Sequence, residues 1–510
     1  MKRLALLILA GAVGLAYGQT SVTGYWDFQA PRTANNDGTS RETFFELKQD
    51  GETITGRMNP NGWREMQIAE GTLHNGALHF AIITPHAGAA PTRVIYEGTL
   101  AQDGKFTFAS IAANGARTPG ELVRTSKESA LPPPRIAPPA LHDVPDNGLA
   151  RTPPMGWNSW NRFKGLITDA DVRGIADAMV STGMAKAGYQ YINIDDTWEG
   201  QSRDANGNIT TNRKFPDMKA LAGYVHSKGL KLGIYSSPGP QTCAGYEGSY
   251  GHEEQDAKTY AAWGIDYLKY DWCEARNVYK DDEEQAIYQK MGDALLKSGR
   301  PIVFSLCQYG HDNVWQWGSK VGGNLWRTTG DINDHWASLD LIGFSTQQGV
   351  TQLEIAQFAK PGHFNDPDML EIGNGGMTAD EYRLHMSVWA LLAAPLLAGN
   401  DLRTMSDETK SILMNAEVIA VDQDTAVNPV RALTPAVWAR TLADGSIAVG
   451  LINRGETPAS VTVTWKSLGT AGKKIQARDL WAHKDVSVSP DGYTATVPMH
   501  GIVMLKISAK

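Results

Sequence analysis

Apolar and polar positions change rhythm three times along this chain. From residue 19 to 126 they alternate, as in Phe45-Glu-Leu47 and Leu78-His-Phe80-Ala-Ile82. A period of two predicts strands with one buried face. Asp50-Gly51, Asn75-Gly76 and Asp103-Gly104 are hairpin turn signals between them, so a small all-β barrel or sandwich is expected. From 127 to 150 the rhythm stops. Pro132-Pro-Pro134 and Pro138-Pro139 predict an extended, semi-rigid linker. From 151 to 426 short apolar runs alternate with helical stripes. Val172, Ile175, Ala176 and Met179 form one such stripe behind a candidate N-cap, Thr168. Residues 281–298 form another, stopped by Gly299. From 427 to 510 alternation returns in Ile447–Ile452 and Val461-Thr-Val463, with turns at Asp444-Gly445 and Asp491-Gly492.

The middle segment holds eight apolar runs. They are Met155-Gly-Trp157, Tyr189–Ile194, Leu230–Tyr235, Tyr267–Tyr270, Ile302–Leu306, Asn324–Thr329, His363-Phe364 and Pro395-Leu-Leu397. Repeated βα units over this length suit a closed eight-stranded barrel. An open doubly wound sheet is the alternative, but no Gly-rich phosphate loop follows the first run. The expected architecture is therefore multidomain: a central (β/α)8 TIM barrel, an N-terminal all-β domain and a C-terminal antiparallel β-sandwich. In such a barrel the C-terminal strand ends meet at one mouth. That would gather Trp160, Asp195, Asp196, Tyr235, Lys269, Asp271, Cys307, Arg327, Asp331 and Asp368.

Charge and composition narrow the partners. The formal net charge is -8, with no Lys/Arg run, which argues against a nucleic-acid binder. Lys2-Arg3, the apolar stretch Leu4 to Ala16 and the small-x-small site Ala16-Tyr-Gly18 read as a cleavable leader over 1–18. A secreted or periplasmic protein is expected, with no membrane association after leader removal. The sequence does not specify an oligomeric state. Three cysteines, Cys243, Cys273 and Cys307, leave at least one free or paired between chains. Cys243 and Cys273 both follow strand ends and could meet at one face.

The chemistry lies in acids that end strands. Asp271 closes a buried run and Asp331 follows another. Two such carboxylates suit double-displacement glycoside hydrolysis, one attacking the anomeric carbon and the other moving protons. Lys269 shares a strand face with Asp271 and should favour its ionised form. Asp331, as acid/base, needs burial to hold its pKa up, with Arg327 four residues before it. Asp195-Asp196 suit bidentate binding of sugar hydroxyls. Trp160, Trp198 and Trp272 adjoin these ends and could stack on a pyranose. Trp26 and Trp63 could form a second sugar platform, or simply core. No His-Glu-x-x-His motif and no Gly-x-Ser-x-Gly elbow occurs. Asn365-Asp-Pro-Asp368 lacks the closing glutamate of a calcium loop. No metal and no cofactor is expected.

Several motifs together resemble glycoside hydrolase family 27, the clan that includes α-galactosidases. They are Arg151-Thr-Pro-Pro-Met-Gly-Trp-Asn-Ser-Trp160, Ile194-Asp-Asp196, Leu268-Lys-Tyr-Asp-Trp-Cys273, Trp326-Arg-Thr-Thr-Gly-Asp331, Asn365-Asp-Pro-Asp-Met369 and Ala393-Ala-Pro-Leu-Leu397. The resemblance implies a retaining exo-α-galactosidase acting on a carbohydrate substrate. It implies Asp271 as nucleophile and Asp331 as acid/base. Asp195 and Asp196 would hold O4 and O6, Lys269 O3 and O4, and Arg327 O2. Trp160, Tyr235 and Met369 would wall the pocket, and Cys243–Cys273 would be the family disulfide. One stretch departs: Cys307-Gln-Tyr-Gly310 stands where plant-like members have Cys-Glu-Trp-Gly. That segment faces the 2-substituent in the family, which brings Cys307 and Gln308 into the substrate-binding set. Tyr309 is not small, which favours a free 2-hydroxyl over an N-acetyl group. The alternatives are a β-L-arabinopyranosidase, an α-N-acetylgalactosaminidase, an isomaltodextranase, or a carbohydrate-binding protein on a dead barrel.

Overall fold

Eight antiparallel strands make up the first unit: β1 (Gly24–Gln29), β2 (Thr43–Asp50), β3 (Thr53–Met58), β4 (Met66–His74), β5 (Ala77–His86), β6 (Ala89–Leu100), β7 (Phe106–Ile111) and β8 (Arg117–Thr125). They run as a meander and close where β8 pairs with β1. This computed structural model describes residues 21–29, 43–60, 65–86, 89–101 and 103–510. The leader expected over 1–18, and Trp63, lie outside the described residues. Asn75 and Gly76 both take positive φ, as the tight β4–β5 hairpin demands. Gly56 is required: a Cβ there would lie 1.9 Å from the Glu46 carbonyl oxygen, beside a register shift between β3 and β4. Phe45, Phe80, Phe106 and Phe108 fill the interior. Trp26 joins them, edge-on to Phe106, with its ring N–H donating to the Val22 carbonyl at 2.8 Å. It is a core residue and not a sugar platform.

The second compact unit begins at Pro133. The stretch read as a linker over 127–150 has two parts. Lys127–Ala130 form one helical turn capped by Ser126. From Pro133 the chain lies as a strap on the second unit. Ile136 N–H donates to the Tyr250 hydroxyl (2.7 Å), His142 N–H to Gln289 (2.8 Å) and Val144 N–H to the Lys320 carbonyl (2.7 Å). An extended polyproline-like backbone makes no internal hydrogen bonds, so its polar groups are open to such partners.

The strap leads into a parallel sheet: β9 (Met155–Asn158), β10 (Tyr191–Asn193), β11 (Lys231–Ser236), β12 (Tyr267–Asp271), β13 (Val303–Cys307), β14 (Leu325–Arg327), β15 (Phe364–Asp366) and β16 (Leu396–Ala398). The strand order is β15-β14-β13-β12-β11-β10-β9-β16. A parallel bridge joins Leu370, just past β15, to Ala398 of β16. Nearly every residue of these strands is buried, as expected when helices cover a parallel sheet. The helix Asp169–Ser181 turns Val172, Ile175, Ala176 and Met179 inward. Thr168 closes a capping box with Asp171 at its start. The helix Glu284–Lys297 crosses from β12 to β13.

The C-terminal strands are β17 (Arg431–Thr434), β18 (Val437–Thr441), β19 (Ile447–Asn453), β20 (Ala459–Thr464), β21 (Ile475–Asp479), β22 (Lys484–Val486), β23 (Gly492–Val497) and β24 (Gly501–Ala509). A six-stranded antiparallel sheet stacks with the β20–β23 pair around Val449, Leu451, Val463 and Leu505. The other face is not free. Trp438, Ile452, Ile502 and Met504 join the core of the parallel-sheet domain. Arg440, fully buried, donates to the carbonyls of Ala390 (2.9 Å) and Val421 (3.1 Å).

Candidate active site

The carboxyl ends of the parallel strands converge on one cleft. Trp160 follows β9, Asp195 and Asp196 follow β10, and Tyr235 lies in β11. Lys269 and Asp271 end β12, Asp331 follows β14, and Asp368 and Met369 follow β15. All of these line the cleft, with Asn161, Cys243 and Tyr309. A larger cavity of about 310 Å³ beside the strap holds a single carboxylate, Asp146, with Asn147 and Arg300 among apolar groups. Paired acids mark only the smaller cleft of the two.

Alternation along β12 puts Lys269 and Asp271 on one face. The Lys269 ammonium sits 2.8 Å from Asp195 Oδ2 and 4.0 Å from Asp271 Oδ2. Asn158 also donates to Asp195 Oδ2 at 2.8 Å. The sequence reading had Lys269 keep Asp271 readily ionised. Burial outweighs it: withdrawal from water pushes Asp271 up to about 6, against the pull of Lys269 and a hydrogen bond from Tyr309. Asp196, buried beside it, accepts from Thr242 Oγ1 (2.8 Å) and the N–H groups of Ala244 (2.7 Å) and Thr197 (2.6 Å). Burial still lifts it to about 7.

Asp331 behaves oppositely to the expectation that burial would hold its pKa up. Partial withdrawal from water pulls upward, but Arg327, with Lys269 behind it, outweighs this and the net direction is down. The geometry explains it. Arg327 is buried, while the Asp331 side chain is 66% exposed at the cleft rim, 3.1 Å from the guanidinium. The same guanidinium lies 3.0 Å from buried Asp368, which burial pushes up to about 6. Asp368 takes φ +111°, a conformation that costs a non-glycine residue on the order of 1–3 kcal/mol and gathers at functional sites.

Cys243 and Cys273 form a disulfide. Cys307 is free and buried. Three residues expected to touch substrate stand behind the wall. Cys307 and Gln308 are fully buried and Arg327 nearly so. Gln308 is spent on its own turn: its Oε1 accepts from Gly310 N–H and its Nε2 donates to the His311 carbonyl, both at 3.0 Å. Trp198 is buried too, donating to the Tyr235 carbonyl at 2.9 Å. Trp272 is buried against Tyr279 and Tyr288. Both serve as core. Asn161 was not anticipated; a polar residue directly after Trp160 was the available signal.

Sequence models for Alpha galactosidase A and for the Alpha galactosidase C-terminal beta sandwich domain match residues 152–424 and 434–507. An alpha-galactosidase of Cyamopsis tetragonoloba is 50% identical over 375 residues, covering 72% of this chain and 88% of its own. The chain belongs to glycoside hydrolase family 27. Among solved family structures, alpha-galactosidase I of Mortierella vinacea superposes with TM-score 0.66 at 36% identity, covering 71% of this chain and 98% of its own. The Saccharomyces cerevisiae alpha-galactosidase, solved with raffinose, gives 0.66 at 28% identity, covering 71% and 99%. In this family member both family models begin after the first unit, so the eight-stranded antiparallel barrel lies outside them.

Proposed function

We propose that this protein is a secreted, retaining exo-α-galactosidase that removes terminal α-D-galactosyl residues from oligosaccharides or polysaccharides. The observation that carries this is the pair Asp271 and Asp331, held by strands β12 and β14 in one cleft with the Asp195–Lys269 pair. Family membership and the alpha-galactosidases it resembles support the sugar. The catalytic domain is read as a closed (β/α)8 barrel, a reading supported by the bridge between Leu370, just past β15, and Ala398 of β16.

In the first step a carboxylate oxygen of Asp271 attacks the anomeric carbon. The C1–O bond breaks as Asp331 gives its proton to the leaving oxygen. A covalent glycosyl ester on Asp271 remains. In the second step Asp331 takes a proton from water, the oxygen attacks C1, and Asp271 departs as a carboxylate. Two inversions return the α configuration, and a carboxyl separation of about 5–5.5 Å is required. As they stand, Asp271 near 6 and Asp331 below the usual carboxylate range put the reactive form, Asp271 charged and Asp331 protonated, in the minority. A sugar seated over the rim takes Asp331 out of water and raises it. Ester formation then removes the negative charge beside it, which favours its service as a base.

Asp195, Asp196 and Lys269 are read as the hydroxyl-binding set for O3, O4 and O6. Trp160, Tyr235 and Met369 are read as the wall. Arg327 is read as setting the charge of Asp331 and Asp368 from behind the wall. Cys307 and Gln308 shape the wall from behind. Hydrolysis of para-nitrophenyl α-D-galactopyranoside tests this, with Asp271→Ala alongside and the α-N-acetylgalactosaminide and β-L-arabinopyranoside as comparators. Release from the galactoside, lost in the variant, is expected. Release from a comparator alone would overturn the choice of sugar and implicate the Gln308-Tyr309 departure.

A further inference from the structure

Tyr309 has no part in the mechanism above, yet its phenol touches the reacting carboxylate. The hydroxyl donates to Asp271 Oδ1 at 2.8 Å. Among the described residues, Asp271 Oδ2 accepts no hydrogen bond, and its nearest cation is Lys269 at 4.0 Å. The two oxygens of the nucleophile are therefore unequal. One is tethered and the other faces the cleft unbonded.

The tether is rigid. Tyr309 itself takes φ +63°, in the left-handed region where a non-glycine side chain is uncommon. Gly310 follows at φ +80°, where a Cβ would stand 2.3 Å from the Thr328 carbonyl oxygen. Both side-chain ends of Gln308 hold the turn closed. The Arg327 guanidinium carbon lies 5.7 Å from the tyrosine ring centre, and Cys243 of the disulfide lies 3.8 Å from the hydroxyl. Burial, with Asp271 close by, drives the phenol far above its ordinary range, so it remains a donor at any working pH.

We propose that Tyr309 is a positioning residue that holds Asp271 by Oδ1, aims Oδ2 at the anomeric carbon, and accelerates breakdown of the glycosyl ester more than its formation. The inference rests on the reading of Asp271 as nucleophile. On attack, the Oδ2–C1 bond forms and negative charge leaves the carboxylate, so the donor to Oδ1 loses strength. On breakdown, that bond breaks, the electron pair returns to the carboxylate and Oδ1 shares the charge. A donor already in place stabilises that second transition state at no reorganisation cost. Tyr309 keeps its proton throughout. The indole expected at this position in plant-like relatives has a different reach, so the arrangement follows from the Cys307-Gln-Tyr-Gly310 sequence of this chain.

The experiment is stopped-flow hydrolysis of para-nitrophenyl α-D-galactopyranoside by the full chain and by Tyr309→Phe. The variant keeps the ring and removes only the hydroxyl. A pre-steady-state burst of nitrophenol approaching one per active site is expected in the variant. kcat should fall roughly 10- to 100-fold, KM should fall with it, and kcat/KM should stay within about threefold. Azide, which intercepts a glycosyl ester, should accelerate the variant and not the parent. Equal losses in kcat and kcat/KM, with no burst and no azide effect, would overturn the proposal even with an unchanged melting temperature. Tyr309→Trp serves as a second variant with a full-sized ring, and a wild-type kcat there would also overturn it. Labelling of the parent with a fluorinated galactosyl fluoride, mapped by peptide mass spectrometry, checks the underlying reading separately. A label elsewhere than Asp271 removes that reading, whereas a label on Asp271 without the Tyr309→Phe burst removes only the inference.

Discussion

Replacing Lys269 by methionine keeps the length of the side chain and deletes one charge from between two buried acids. The ammonium lies 4.0 Å from Asp271 Oδ2. At that distance two unit charges interact by about 1 kcal/mol in water and about 4 kcal/mol at an effective dielectric constant of 20. Lys269 is 15% exposed and Asp271 only 6% by side chain, so the upper part of that range applies. Asp195 keeps its bond from Asn158, which limits collapse of the pocket. Taking about 3–4 kcal/mol from the ionised form of Asp271 lowers the fraction ready to attack roughly 10²- to 10³-fold near pH 6, and kcat/KM falls with it. The same lysine lowers both Asp271 and Asp331. Its removal lets both rise, and both limbs of the bell-shaped kcat/KM profile should move to higher pH. The assay is kcat/KM on the nitrophenyl galactoside from acid to neutral pH, with Lys269→Arg as the charge-keeping control. Activity within fivefold of the parent and an unmoved bell would refute the electrostatic reasoning. A Lys269→Arg profile displaced as far as that of Lys269→Met would refute it as well.

Three further outcomes follow from the same structure. Burial raises Asp271 from 3.8 to about 6, so the folded state binds its proton more tightly and loses stability as pH climbs from about 4 to about 6. Asp271→Asn should therefore abolish turnover yet add up to about 3 kcal/mol at pH 7, a gain that disappears below about pH 4 in denaturant titrations. Removing the disulfide with Cys243→Ala and Cys273→Ala should cost roughly 3–4 kcal/mol for a loop of this size, seen as a lower melting temperature and weaker activity, since Cys243 lines the cleft. Deleting residues 427–510 should give insoluble protein by size-exclusion analysis, because it strips Trp438, Ile502 and Met504 from a core they share with the helix Ala379–Leu392.

Much of the site was legible because its residues obey a local rule. An apolar run that stops at an acid marks a buried strand reaching a cleft; β10 and β12 display it, and Asp331 follows the end of β14 by four residues. Lys269 was assigned to the face of Asp271 by strand alternation alone, which the contact bears out. What pattern cannot carry is burial. Arg327 and Asp331 are four residues apart, but the chain leaves β14 between them, so one is sealed and the other is at the rim. The direction of the Asp331 shift depended on that difference. Gln308 likewise looks like a pocket residue until its turn is seen to consume both ends of its amide. The strap from Pro133 onward was opaque because its partners, Tyr250, Gln289 and Lys320, lie more than a hundred residues downstream.

The cleft draws its side chains from strand ends that run from Trp160 to Met369, and the last flanking strand, β16, ends only at Ala398. A chain made from its N-terminus thus has no partial version of the site. When Asp271 emerges, Asp331 is still sixty residues from synthesis. Appearance of hydrolytic activity is therefore a clock for completion of the parallel sheet, and during synthesis it should lag every signal that reports the first unit alone.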